Sequence, residues 1–242
     1  MTYSMRLFIY LLLVTFMLTA CSTRVMSPEE TAEISSKTYR AVTPQAILSA
    51  ASDLFFLADD QAFQRTLEPD QLVAVREHSF NIGLNLVQSL DTWNISTHPD
   101  TDGTKVTLDV KSEESWITGK TQVQRPNGPA VYTQFWNRLD YLLGQSTKWM
   151  SCGDLNHEYL EDRTWGDVWW LCSDVQDRLP PELMTGIWQN GGNNELSPEV
   201  QQRCMNKVLD GLYGIADSQR QQDLYLTLCL EEEGYRLFDE HF

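Results

Sequence analysis

The order of apolar and polar positions along the chain predicts most of its elements. Leu7 to Met17 form an almost unbroken apolar run behind Arg6, the last charge of a short leader. Ser22 to Val42 are polar, carry Ser27-Pro28-Glu29-Glu30 and sustain no apolar period, which predicts a tether. Thr43-Pro44 then supplies a helix start, with a hydroxyl at the N-cap and proline at the first helical position. Ile47, Leu48, Ala51, Leu54 and Phe55 follow on one face of that helix.

Strand patterns come next. Lys105 to Lys111 is the clearest, because Val106, Leu108 and Val110 alternate with Thr107 and Asp109. Phe63 to Leu67, Leu72 to Glu77 and Leu90 to Thr97 are further strands, and Ser115 to Gln124 is a possible fifth after a turn at Glu113-Glu114. His98 to Gly103 is a loop rich in turn formers. Pro126-Asn127-Gly128-Pro129 ends the strand pattern, after which Val131, Phe135, Leu139 and Leu142 fall at helical spacing.

After about Lys148 the chain changes to cysteines, tryptophans and helix signals. Ser197-Pro198-Glu199 caps a helix through about Leu212, and Asp217 begins another, with Leu224 and Leu228 on one face. The expected fold is α+β: a helix, an antiparallel sheet of four or five strands and a helix, then a disulfide-stapled, mostly helical C-terminal region. The corresponding divisions are a signal peptide over 1–20, a tether over 21–42, an α+β domain over 43–148 and a disulfide-bonded helical region over 149–242.

The N-terminal run is too short for a span, since crossing the hydrocarbon core takes about 20 apolar residues. A charge, a short apolar stretch and small residues in that order read as a removable signal. Leu18-Thr19-Ala20-Cys21 resembles the lipobox of bacterial lipoproteins. That resemblance implies cleavage before Cys21 and acylation of its thiol by diacylglycerol, usually with a further acyl chain. Two or more chains anchor stably at about 0.8 kcal/mol per buried CH₂. Ser22, rather than aspartate, follows the cysteine; among enteric lipoproteins this implies passage to the outer membrane, facing the periplasm.

With Cys21 set aside, Cys152, Cys172, Cys204 and Cys229 remain, an even number suited to an oxidising compartment. Sequence proximity favours pairing Cys152 with Cys172 and Cys204 with Cys229, the latter stapling two helices into a hairpin. Cys229-Leu230-Glu231-Glu232-Glu233-Gly234-Tyr235 resembles an ending of small periplasmic lipoproteins, which supports the compartment and implies no activity.

Charge narrows the partners. Against 34 acidic side chains stand 18 basic ones, a net charge of −16. Nucleic acid is disfavoured, because phosphate binding needs clustered lysine and arginine. Such charge keeps a tethered domain soluble, and it also suits steering of a basic partner.

Candidate chemistry is sparse. Asp100-Thr101-Asp102-Gly103 hints at a calcium loop but runs straight into a strand without the later ligands such a loop requires. His78, His98, His157 and His241 are scattered, with no pair at ligand spacing, so no metal or cofactor is expected. No nucleophile-elbow or Ser-x-x-Lys pattern assigns a catalytic residue. The most suggestive stretch holds Trp165, Asp167, Trp169 and Trp170, with His157, Glu158 and Asp162 before it and Trp188 after. Aromatic faces beside carboxylates suit a glycan or a protein interface, and the same tryptophans suit the core of a small disulfide-bonded region. The sequence therefore leads to a lipid-anchored, non-enzymatic envelope protein that binds another envelope component as an accessory or assembly subunit. An acidic inhibitor or immunity factor against a basic cell-wall hydrolase or toxin is the alternative, and a glycan- or peptide-acting enzyme is a third reading.

Overall fold

Six antiparallel strands form the sheet, and two helices cover one of its faces. The computed structural model describes residues 25–58, 63–82, 85–151, 154, 187–190, 195–212 and 218–238. The chain begins there with α1 (Pro28–Ile34), β1 (Ser36–Tyr39) and α2 (Pro44–Ala58). Strands β2 (Phe63–Leu67), β3 (Gln71–Ile82), β4 (Asn85–Asp100), β5 (Gly103–Trp116) and β6 (Thr121–Gln124) follow, then α3 (Ala130–Leu142). The sheet order is β1-β5-β4-β3-β2, and β6 pairs with the other end of the β5 edge that β1 uses.

The α+β class is as the apolar pattern predicts, with two corrections inside it. Residues expected to form a tether instead carry α1 and β1. The helix buries no side chain, so no apolar period announces it. It is fixed by a capping box, in which the Ser27 hydroxyl accepts from the Glu30 amide at 3.2 Å and the Glu30 carboxylate accepts from the Ser27 amide at 2.9 Å. Trp136 Nε1 donates to the Ile34 carbonyl at 2.7 Å, tying the end of α1 to α3. The turn expected at Glu113-Glu114 is also absent. Both residues lie inside β5, because its pairing with β4 continues to Val87 opposite Trp116.

Alternation decides what each strand buries. From β3, Leu72 and Ala74 face the helices; from β4, Trp93 and Ile95; from β5, Val106, Leu108 and Val110. Phe55 of α2 packs edge-on to Trp93 at 5.4 Å between centroids, and Phe135 of α3 stacks on Trp93 at 6.1 Å. The Thr43 cap is formed as expected, its hydroxyl accepting from the Ala46 amide at 3.2 Å. At the β4–β5 turn Gly103 has φ +148°, and a Cβ there would sit 2.2 Å from the Tyr39 carbonyl oxygen. Asp100, the supposed calcium ligand, accepts from the Thr101 amide at 2.7 Å and from the Thr38 hydroxyl at 3.2 Å, so it serves the turn.

The C-terminal stretch adds α4 (Pro198–Leu209), α5 (Gln219–Glu232) and a two-stranded sheet of β7 (Ile187–Asn190) with β8 (Tyr235–Phe238). The small sheet was not expected in a region read as helical. Cys204 and Cys229 are joined as the sequence suggests, stapling α4 to α5 with Cα atoms 5.5 Å apart. Leu230, Tyr235 and the partly buried Trp188 pack around the disulfide. The ending Cys229 to Tyr235 thus has a local explanation: Gly234 turns the chain at φ +85°, and Tyr235 falls back on the disulfide. Val208, Leu224 and Tyr225 from these helices join the same core as α2, α3 and the sheet. Buried Asp53 of α2 secures that junction by accepting from Gln221 Nε2 at 2.6 Å and from the Tyr225 hydroxyl at 2.9 Å.

Candidate functional site

Each face of the sheet offers one surface of interest. On the covered face the apolar rows stop below Trp93, and two polar rows take over. Arg76, Asp91 and Ser112 lie side by side across β3, β4 and β5, followed by His78, Ser89 and Glu114. Arg76 donates to the same Asp91 oxygen from Nη2 at 2.7 Å and from Nε at 3.3 Å, and its guanidinium lies 5.1 Å from the Phe63 ring centroid. Ser89 and Ser112 hydroxyls are 2.6 Å apart, and Ser89 Oγ is 3.4 Å from the second Asp91 oxygen. His78 Nδ1 stands 3.4 Å from Asp91 Oδ2.

Electrostatics follow from burial and these neighbours. Burial holds the His78 pKa below its ordinary value, Asp91 opposes that shift, and Arg76 adds to it. Burial first, and then the Asp91 charge, raise the Glu114 carboxyl. Serine, histidine and aspartate meet here as in a hydrolase, but the roles do not match. The Ser89 hydroxyl is engaged with Ser112 and Asp91, and Asp91 is gripped by a guanidinium. The arrangement suits a brace that fixes strand register, since a one-residue slip of either strand would put the two charges on opposite faces.

The opposite face carries no helix among the described residues, and its side chains are half-buried or exposed. Its central rows are Thr66-Val73-Asn94-Asp109, Gln64-Val75-Thr92-Lys111 and Gln71-Ser96-Thr107-Ser36. Gln71 Nε2 donates to Asn94 Oδ1 at 2.7 Å, and the Ser96 hydroxyl lies 3.4 Å from the same oxygen. The charges on these rows sit at the β5 edge and are matched locally. Arg125 pairs with Asp109, and Lys111 with Glu113 at 2.8 Å. In a chain of net charge −16, the middle of this face is neutral: hydroxyls, amides and two valines.

Several sequence candidates fall elsewhere. Cys21, Cys152, Cys172, Trp165, Asp167, Trp169 and Trp170 lie outside the described residues. Cys204 and Cys229 form their disulfide, so their closeness to Glu233 is no metal site. Arg203 and Lys207, which line a shallow groove along α4, both pair with Glu233. Among the described residues no helix is long and apolar enough to cross a membrane. Neither surface was recognised in the sequence. Polar residues in phase with buried apolar ones, Arg76 with Ala74 and Asp91 with Trp93, are the available signal for the brace. No family model, curated protein or solved structure matches the chain.

Proposed function

We propose that this chain is a non-enzymatic envelope lipoprotein, anchored through acylated Cys21 in the outer membrane and facing the periplasm. It acts as an accessory or assembly subunit by docking another envelope protein on the sheet face opposite α2 and α3. The observation that carries the docking surface is the neutral centre of that face around Thr92, Asn94, Ser96 and Thr107. Depletion of charge at the centre is a mark of interface cores, and here it occurs on a strongly acidic molecule. The covered-face brace and the aromatic cluster at Trp93 stiffen the sheet behind it, which lowers the cost of presenting a fixed surface.

The acidic-inhibitor reading makes a different demand, since its contact would centre on unmatched carboxylates and weaken steeply with salt. The glycan- or peptide-acting reading rests on the carboxylates and on the tryptophans of the Trp165 to Trp170 stretch. Affinity capture of the chain from detergent-solubilised native membranes, with mass spectrometry of bait and co-purifying proteins, separates the three. A stoichiometric envelope protein retained at high salt is expected. A basic hydrolase lost at high salt would favour the inhibitor, and an acylated bait recovered alone would favour glycan binding or catalysis.

A further inference from the structure

The neutral rows of the docking face end, on one side, at an open strand edge. Gln64 and Thr66 of β2 close the rows that hold Thr92 and Asn94, and β2 is the last strand in the sheet order. The Glu68 amide donates to the Gln71 carbonyl at 2.8 Å. Bonded pairs alternate along an antiparallel ladder, so Thr66 with Val73 and Gln64 with Val75 are the next bonded pairs. Phe63, Arg65 and Leu67 therefore turn their N–H and C=O groups away from β3. Among the described residues nothing bonds to those groups, and Gln64 to Leu67 are all exposed.

We propose that the docked envelope protein contributes an extended segment that adds to β2 as a further antiparallel strand, with an acidic side chain across from Arg65. The inference rests on the docking reading above and adds how the partner is held and what chemistry it brings.

The edge itself specifies an extended main chain as its occupant. Outward N–H and C=O groups at every second residue of a five-residue strand match the groups of an incoming strand in spacing and direction. The far ends of the same rows are closed differently, with Asp109 paired to Arg125 and Lys111 to Glu113. Side chains then choose among strands. The Arg65 guanidinium lies 5.1 Å from the Phe56 ring centroid, and its Nη1 donates to the Ser52 carbonyl at 3.2 Å, so the charge is held at the edge while remaining exposed. A second copy of this chain fits poorly. In the two-fold register that uses all three outward residues, Phe63 faces the copy's Leu67 and Arg65 faces the copy's Arg65, and like charges directly opposite destabilise a ladder. Two chains of net charge −16 also repel each other. An edge charge guards against self-pairing. Because the single charge of β2 is positive, it also selects aspartate or glutamate in the strand that arrives.

The test places photoreactive p-benzoylphenylalanine at position 66 or 67 of the full acylated chain in native membranes. Thr66 lies on the docking face, whereas Leu67, 56 % exposed, pairs with Leu72 on the helix side. A segment running along the β2 edge reaches both positions, and a protein lying flat on the docking face reaches 66 alone. The cross-linked segment is then made as a peptide and added to the purified chain, with amide exchange read residue by residue. The expected result is adducts at both positions to one short segment of one envelope protein, containing aspartate or glutamate. Its peptide should slow exchange at Phe63, Arg65 and Leu67 and leave Gln64 and Thr66, already bonded to β3, unchanged. Arg65→Pro removes one outward N–H where an edge strand tolerates proline and should weaken the peptide about tenfold. Arg65→Lys keeps the N–H and the charge and should bind as wild type. Adducts at one position or neither, a segment without an acidic residue or from a second copy, unchanged exchange at the three outward amides, or equal binding by Arg65→Pro overturns the strand. Any of these, with a partner still recovered, leaves docking on the face standing. Recovery of no partner by the wild-type chain overturns both.

Discussion

Arg76 and Asp91 face each other across β3 and β4 as a buried ion pair, with Nη2 2.7 Å from Oδ2 and side chains only 8 % and 4 % exposed. Charges taken out of water in this way cost several kcal/mol each unless they are paired, so the pair is valuable chiefly because each member neutralises the other. Asp91→Ala should therefore destabilise the protein by about 3–5 kcal/mol, whereas Arg76→Met with Asp91→Leu should restore most of the loss. Urea titration of the three proteins measures both effects. A single mutant as stable as wild type would show that the brace carries no load.

Asp53 links α2 to α5 through Gln221 and Tyr225. Asp53→Ala removes the carboxylate that both donors share, while Gln221 Nε2 keeps its 3.4 Å contact with the Ser49 hydroxyl, and should cost about 1–3 kcal/mol. In a double-mutant cycle with Tyr225→Phe the coupling should reach at least about 0.5 kcal/mol. Strict additivity would mean that the C-terminal helices are held by apolar contacts alone.

The Cys204–Cys229 bridge closes a loop between residues 25 apart in sequence. On the chain-entropy account such a bridge contributes roughly 3 kcal/mol. Replacing both cysteines with alanine should speed amide exchange in α4, α5 and β8 more than in β4. Uniform exchange rates in the variant and the parent would contradict this.

Glu233 accepts from Arg203 Nη2 at 2.7 Å and from Lys207 Nζ at 3.1 Å, and these two bonds lower its pKa from 4.5 to about 2. A carboxylate lowered on folding stabilises the native state above its unfolded pKa, and the contribution disappears as pH falls through the folded value. The C-terminal helical hairpin should thus weaken between pH 4.5 and about 2, and Glu233→Gln should flatten that dependence. Titration of the Glu233 carboxyl carbon by NMR gives the midpoint directly; a value near 4.5 would remove the argument. Because the pair lies at the surface, added salt should move the midpoint upward.

The elements legible in the sequence are those whose burial follows a clean period. β2 is read to the residue as Phe63–Leu67, and α2 and α4 begin where Thr43 and Ser197 cap them. β3 and β4 extend well past their predicted limits, to Gln71–Ile82 and Asn85–Asp100. The inward positions turn polar at Arg76 and Asp91 and remain so at His78 and Ser89, so the apolar alternation fades at Glu77 and Leu90 although the strands continue. α1 escapes because a helix that buries nothing leaves no apolar trace. The neutral face could not be seen in the sequence either. Thr92, Asn94 and Ser96 look like ordinary outward residues until the register puts them beside Val73, Val75 and Thr107.

The central claim, docking through the sheet face opposite α2 and α3 by a membrane-anchored chain, is tested most directly by capture from native membranes with wild type and Ser96→Arg side by side. Ser96 is half-buried between Gln71 and Thr107 on the face opposite the core, so the arginine can extend over the sheet surface and should cost no more than a few degrees of thermal stability while placing an unmatched charge at the centre of the face. The account predicts that wild type, acylated at Cys21, brings down a stoichiometric envelope protein and that Ser96→Arg, equally folded and acylated, does not. Equal recovery of that partner by both proteins would contradict it.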